Sequence, residues 1–188
     1  MKRLLFIVAL CLPAAAWAGP EGRVYTQDKY FTVTLPFGWV KKEKPLGLTD
    51  EERKVYGDEF FGPVSGDLAA RVGAFYYAPG NQVHATPERF LALNARPPLG
   101  VNVDGKVYGP VKKGRAGSCY AQVFERRNFE YEPKNALHPK KIHIYEKFYV
   151  VPVKNGFFVL SYYAPMDLAR ANLKHFEAFV ASFKPLTR

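Results

Sequence analysis

The sequence predicts an α+β fold, an α/β/α sandwich: a central, mainly antiparallel sheet with helices on both faces and a C-terminal amphipathic helix packed on the sheet. Three observations predict it. Strand-like runs dominate the chain. The late run Phe157-Phe158-Val159-Leu160 offers apolar side chains to both sides of a sheet, so both faces need cover, and the last twenty residues repeat their apolar positions at helical spacing.

The chain opens on a targeting pattern. Lys2 and Arg3 precede the apolar run Leu4 to Leu12 and the small-residue ending Ala16-Trp17-Ala18, the three parts of a secretory signal peptide cleaved between Ala18 and Gly19. The apolar run falls short of the ~20 residues of a spanning helix, and Leu10 ahead of Cys11 disfavours a lipoprotein signal. Residues 1–18 therefore read as a leader and 19–188 as a single exported domain, periplasmic or secreted, expected to act as a monomer without a transmembrane anchor.

Phe31, Val33 and Leu35 alternate with Tyr30, Thr32 and Thr34, the period-2 signature of a strand, and Pro36 ends it. Lys41 to Tyr56 is charged and carries Pro45 and Gly47, which predicts a surface loop with one helical turn at Thr49 to Arg53. Turn residues Gly62-Pro63 and Ser65-Gly66-Asp67 lead into a strand over Leu68 to Ala78. Thr86-Pro87-Glu88 starts a helix: Thr caps free amides, Pro suits the first helical position and Glu the positive end of the dipole. Phe90, Leu91 and Leu93 give that helix an apolar face, and Pro97-Pro98 stops it.

Asp104-Gly105 predicts a hairpin turn within Val101 to Val111. Three strands follow, Ser118 to Phe129, Ile142 to Val151 and Phe157 to Tyr163, the last two joined through Val153-Lys154-Asn155-Gly156, a strong hairpin signal. Ala169, Leu173, Phe176, Val180 and Phe183 then form one face of the closing helix, Pro165 to Phe183. The opposite face is mixed in charge, so core packing is favoured over a membrane-surface role.

The segments "YFTVTLPFGWV" and "GFFVLSYYAPMDLARANLKHFEAFVASFKP" resemble the beginning and end of the PsbP/Mog1-like fold: a strand ending in Leu-Pro-x-Gly-Trp, and later a hairpin strand leading through Ala-Pro into a helix that ends Ser-Phe-Lys. The resemblance implies an α/β/α sandwich in a non-catalytic accessory or interaction protein. It transfers no partner-binding residues, because members of that fold serve unrelated partners.

Charge bounds the partners. The chain carries 27 Lys and Arg, and the leader takes Lys2 and Arg3, which leaves 25 against 17 acidic residues, a net of +8. Such a balance is compatible with anionic lipid or cell-wall polymer, but a solvated surface is the favoured reading, since many exported proteins are simply basic; nucleic acid is disfavoured. With Cys11 in the leader, Cys119 stands alone and reads as a small, buried strand residue, so packing and not a disulfide holds the domain.

Catalytic patterns are weak. Gly109 to Ala116 has phosphate-loop glycine spacing but puts Arg115 and Ala116 where Lys and a hydroxyl belong, so it reads as a basic turn. Neither Ser65 nor Ser118 sits in a nucleophile elbow. A dyad of Cys119 with a histidine has no sequence support. Of His84, His138, His143 and His175 only the middle two are near neighbours, which is too few for a zinc site. No enzyme activity, metal or cofactor is expected.

The richest surface candidate is Arg126 to Lys147. If Arg126 shares a strand face with His143, Tyr145 and Lys147, then with Lys140 and Lys141 these form an anion-receptive, aromatic-backed patch; Arg127 should point the other way from Arg126. The expected function is a non-catalytic accessory protein of the cell envelope that binds an unidentified envelope protein. The alternatives are a binder of anionic lipid or polymer through this patch, and a small hydrolase or thiol enzyme.

Overall fold

The computed structural model describes residues 22–44, 47–101 and 103–187. The expected signal peptide and its cleavage site lie outside them. In chain order come β1 (Arg23–Gln27), β2 (Phe31–Leu35), β3 (Val40–Lys41), α1 (Asp50–Arg53), β4 (Val55–Ser65), β5 (Leu68–Tyr77), α2 (Pro87–Asn94), β6 (Val107–Tyr108), β7 (Lys112–Ala116), β8 (Cys119–Glu132), β9 (Lys140–Pro152), β10 (Phe157–Pro165), α3 (Met166–Ala181) and β11 (Lys184–Pro185).

One antiparallel sheet organises the molecule, in the order β3-β4-β5-β10-β9-β8-β6, with β7 also paired to β8. Its two faces are both covered, as the late hairpin requires. Phe158, Leu160 and Tyr162 point to one side and join the main core with Phe176, Phe179 and Val180 of α3. Phe157 and Val159 point to the other and join Phe124, Phe148 and Val150 under Phe90 of α2. The first core is sealed by rings: Phe176 stacks on Tyr162 with centroids 5.3 Å apart, and the Tyr162 hydroxyl donates to the Ala169 carbonyl at 2.9 Å.

The strand predicted at Phe31 is β2, but it does not enter the main sheet. It pairs with β1 and β11 in a small three-stranded sheet laid over the main core, and Phe31, Val33 and Leu35 are buried beneath it. Trp39 closes this corner: it is 7% exposed, and its indole lies so close over Gly62 that a Cβ there would approach to 2.5 Å. Gly62 thus leaves room for the indole. The corner is framework.

Four local expectations change. Residues 55–65 form strand β4 and not the end of a loop, because a register shift between Phe61 and Val64 absorbs Gly62-Pro63 and because the charge of Asp58 is compensated within the fold. The basic turn at 109–116 is largely strand β7, zipped to β8. Asp104-Gly105 does turn the chain, with Gly105 at φ +80°, but only Val107 and Tyr108 pair afterwards, and they pair with β8. Leu93 is exposed, so α2 buries mainly Phe90.

Asp58 explains how a carboxylate survives in the interior, where an uncompensated charge would be costly. It is 1% exposed under the β1–β2 hairpin. The Tyr25 hydroxyl donates to it, Lys41 Nζ stands 2.9 Å away, and Lys44 Nζ 3.4 Å away. Burial alone would raise its pKa; the Tyr25 hydrogen bond and the two lysines outweigh burial and hold the carboxyl below its usual range.

Candidate functional site

Strand register decides which predicted site residues meet. Arg126 pairs with Glu146, and Arg127 with Tyr145. Cross-strand partners share a face, so Arg126 lies with Glu146 and Phe148 on the α2 side, and Arg127 lies with Tyr145 on the α3 side. The expected juxtaposition of Arg126 with His143, Tyr145 and Lys147 is therefore corrected: the arginine that joins them is Arg127.

Arg126 is a framework cation. Its guanidinium grips Glu146 through two bonds, Nε to Oε2 at 2.5 Å and Nη2 to Oε1 at 2.9 Å, and Nη1 donates to the Asn94 carbonyl at 3.3 Å. Asn94 is the last residue of α2, so a positive charge sits at the negative end of that helix dipole. Lys147 is similarly committed, with Nζ 2.6 Å from Glu177 on α3 and 3.4 Å from Glu125. Burial works against its charge, but the Glu177 hydrogen bond and the surrounding charges leave the ammonium raised above its ordinary value.

The other four predicted residues line a groove. Where α3 begins, the helix leaves the outer part of the β8–β9 face uncovered, and three adjoining hollows meet at Met166. One, of about 240 Å³, is lined by Arg127, Tyr145, Met166, Ala169, Arg170 and Leu173. A second continues past Val107, Arg127 and His143. The third runs under the β8–β9 tip past Glu132, Lys140, Lys141 and His143 to Asp67 and Asp167. A lateral row built by strand pairing forms the floor: Val107, Arg127, Tyr145 and Ala164 stand side by side on β6, β8, β9 and β10.

The chemistry of the groove is cationic over an apolar and aromatic base. Lys141 Nζ stands 4.2 Å from the centroid of Phe129, whose ring meets Tyr131 edge to face. Tyr145 is half-buried, and burial together with the neighbouring Glu125 carboxylate pushes its phenol up, so it stays protonated as a donor at neutral pH. Among the described residues, Arg127 and Arg170 are exposed and have no carboxylate within ion-pair distance, in contrast to Arg126 and Lys147.

Sequence reasoning missed Arg127, Met166 and Arg170, although signals for them existed. Alternation from Tyr145 through the pairing register selects Arg127. Helical spacing places Met166, Ala169, Arg170 and Leu173 on adjoining positions of one side of α3.

Cys119 is partly buried and packs against the main core. No helix among the described residues is long and apolar enough to cross a membrane.

No protein-family model matches the chain, and no curated protein matches it. Among solved structures it is similar to a protein from Bacteroides thetaiotaomicron, at 15% identity and a TM-score of 0.49, over 88% of this chain and 48% of that one. This chain thus spans about half the length of that protein. It is also similar to LpqN of Mycobacterium tuberculosis, described as involved in cell envelope biogenesis, at 13% identity and a TM-score of 0.45, over 90% of this chain and 87% of LpqN.

Proposed function

We propose that the chain is an exported, non-catalytic binding protein of the cell envelope that docks an anionic group of its partner in the groove at the head of α3. One observation carries the reading: Arg127 and Arg170, without carboxylate partners among the described residues, line the same hollow over Tyr145, Met166, Ala169 and Leu173. Cations left unpaired in a concave, partly apolar setting attract an anion more strongly than the same charges on a convex surface. Negative charge is the shared requirement, and it covers an acidic envelope protein as well as an anionic lipid or polymer. The strand and corner of β2, and the passage from β10 into α3, further support placing the chain with the PsbP/Mog1-like fold.

Titration with polyglutamate by calorimetry tests the reading. The wild-type protein should bind with strong salt dependence, and Arg127→Ala with Arg170→Ala together should weaken binding about tenfold or more. Binding that persists unchanged in the double variant would place the anion site elsewhere.

A further inference from the structure

We infer that the groove docks the protein onto the surface of an anionic lipid bilayer, an inference that rests on the anion-binding reading above. The cations at this end of the sheet are interleaved with apolar side chains left in water. Leu137, in the turn between β8 and β9, is 89% exposed; Tyr131 near the end of β8, Val107 on β6 and Met166 at the start of α3 are also exposed. Val107 and Met166 line one hollow with Arg127 and His143, so basic and apolar groups belong to one continuous surface.

An acidic peptide or a soluble polymer would answer the charges and leave Leu137, Tyr131 and Met166 in water. A bilayer answers both. Lipid phosphates meet Arg127, Lys140, Lys141 and Arg170, while the apolar tips and the Tyr131 ring enter the headgroup region, where amphipathic aromatics are at home. The acidic residues of the rim, Asp67, Glu132 and Asp167, lie together in the hollow farther along; no carboxylate lines the Arg127–Arg170 hollow, and Glu125, beside Tyr145, is paired with Lys147.

Co-sedimentation of the purified protein with phosphatidylglycerol–phosphatidylcholine vesicles, against pure phosphatidylcholine vesicles and soluble polyglutamate, tests this. The protein should partition onto the anionic vesicles and not the neutral ones. Each of Arg127→Ala and Arg170→Ala should weaken partitioning about fivefold, and the pair about thirtyfold. Leu137→Ser should weaken it several-fold while leaving polyglutamate binding unchanged, and Met166→Ser should also weaken it several-fold. Lys112→Ala with Lys113→Ala, on strand β7 away from the groove, should change it little; a loss equal to that of the arginine pair would overturn the inference in favour of diffuse charge. Arginine-dependent polyglutamate binding without vesicle partitioning, or partitioning indifferent to Leu137 and Met166, would overturn the lipid assignment and leave the anion-binding reading standing. Binding to neither probe would remove both.

Discussion

Asp58 is held under the β1–β2 hairpin by Tyr25, Lys41 and Lys44, so Asp58→Ala should destabilise the fold by about 1–3 kcal/mol by taking the carboxylate from Lys41 and one of two acceptors from Tyr25 and Lys44, which keep Gln27 and Asp50. The pH dependence has a definite sign. The folded carboxyl titrates below its usual range, so its contribution is complete above the ordinary Asp value of about 4 and is lost as pH falls through the lower, folded value. Urea melts across the acid range should show that slope in the wild type, flattened in Asp58→Asn; equal slopes would remove the role. Arg126 and Arg127, neighbours on β8, should separate cleanly. Arg126→Ala should cost about 2–4 kcal/mol by stranding Glu146, which is 8% exposed, without weakening polyglutamate binding. Arg127→Ala should do the reverse, as melting curves and titrations of both variants would show.

At the scale of elements, α2 covers the second face chiefly through Phe90, whose ring stands within 6.4 Å of those of Phe124, Phe148 and Phe157. Phe90→Ala should therefore cost about 3–5 kcal/mol in urea melts, whereas Leu93→Ala on the exposed side should be nearly silent. The hairpin between β9 and β10 depends on Gly156 at φ +99°, where a Cβ would meet the Tyr77 carbonyl oxygen at 2.2 Å. Most elements were legible because their signals are local: alternation in β2, β8, β9 and β10, the Thr86-Pro87 start of α2, and the apolar stripe of α3. Strand β4 was illegible because its Asp, Glu, Gly and Pro read as loop. What rescues it is non-local: the bulge against β5 and the cover that β1 gives to Asp58. The site failed at one step of the same kind. Composition located the basic-aromatic hairpin, but only register tells which of two adjacent arginines faces Tyr145.

The whole molecule joins two cores through one sheet, since β10 contributes Phe158 and Leu160 to one and Phe157 and Val159 to the other. Neither side can be lost without stripping the same strand, so unfolding should be a single cooperative step. Fluorescence of Trp39, packed over Gly62, and far-ultraviolet dichroism should trace coincident urea transitions; separate midpoints would mean that this corner opens alone. The same geometry leaves one end of the sheet uncovered, where cations without framework duties collect around the head of α3. Amide shift mapping by NMR during titration with anionic lipid bicelles tests whether the anion docks there. Perturbations should concentrate on residues 127–145 and the first turns of α3 and vanish in Arg127→Ala with Arg170→Ala. Perturbations centred on β3, β7 or α2, or a pattern indifferent to the two arginines, would contradict it.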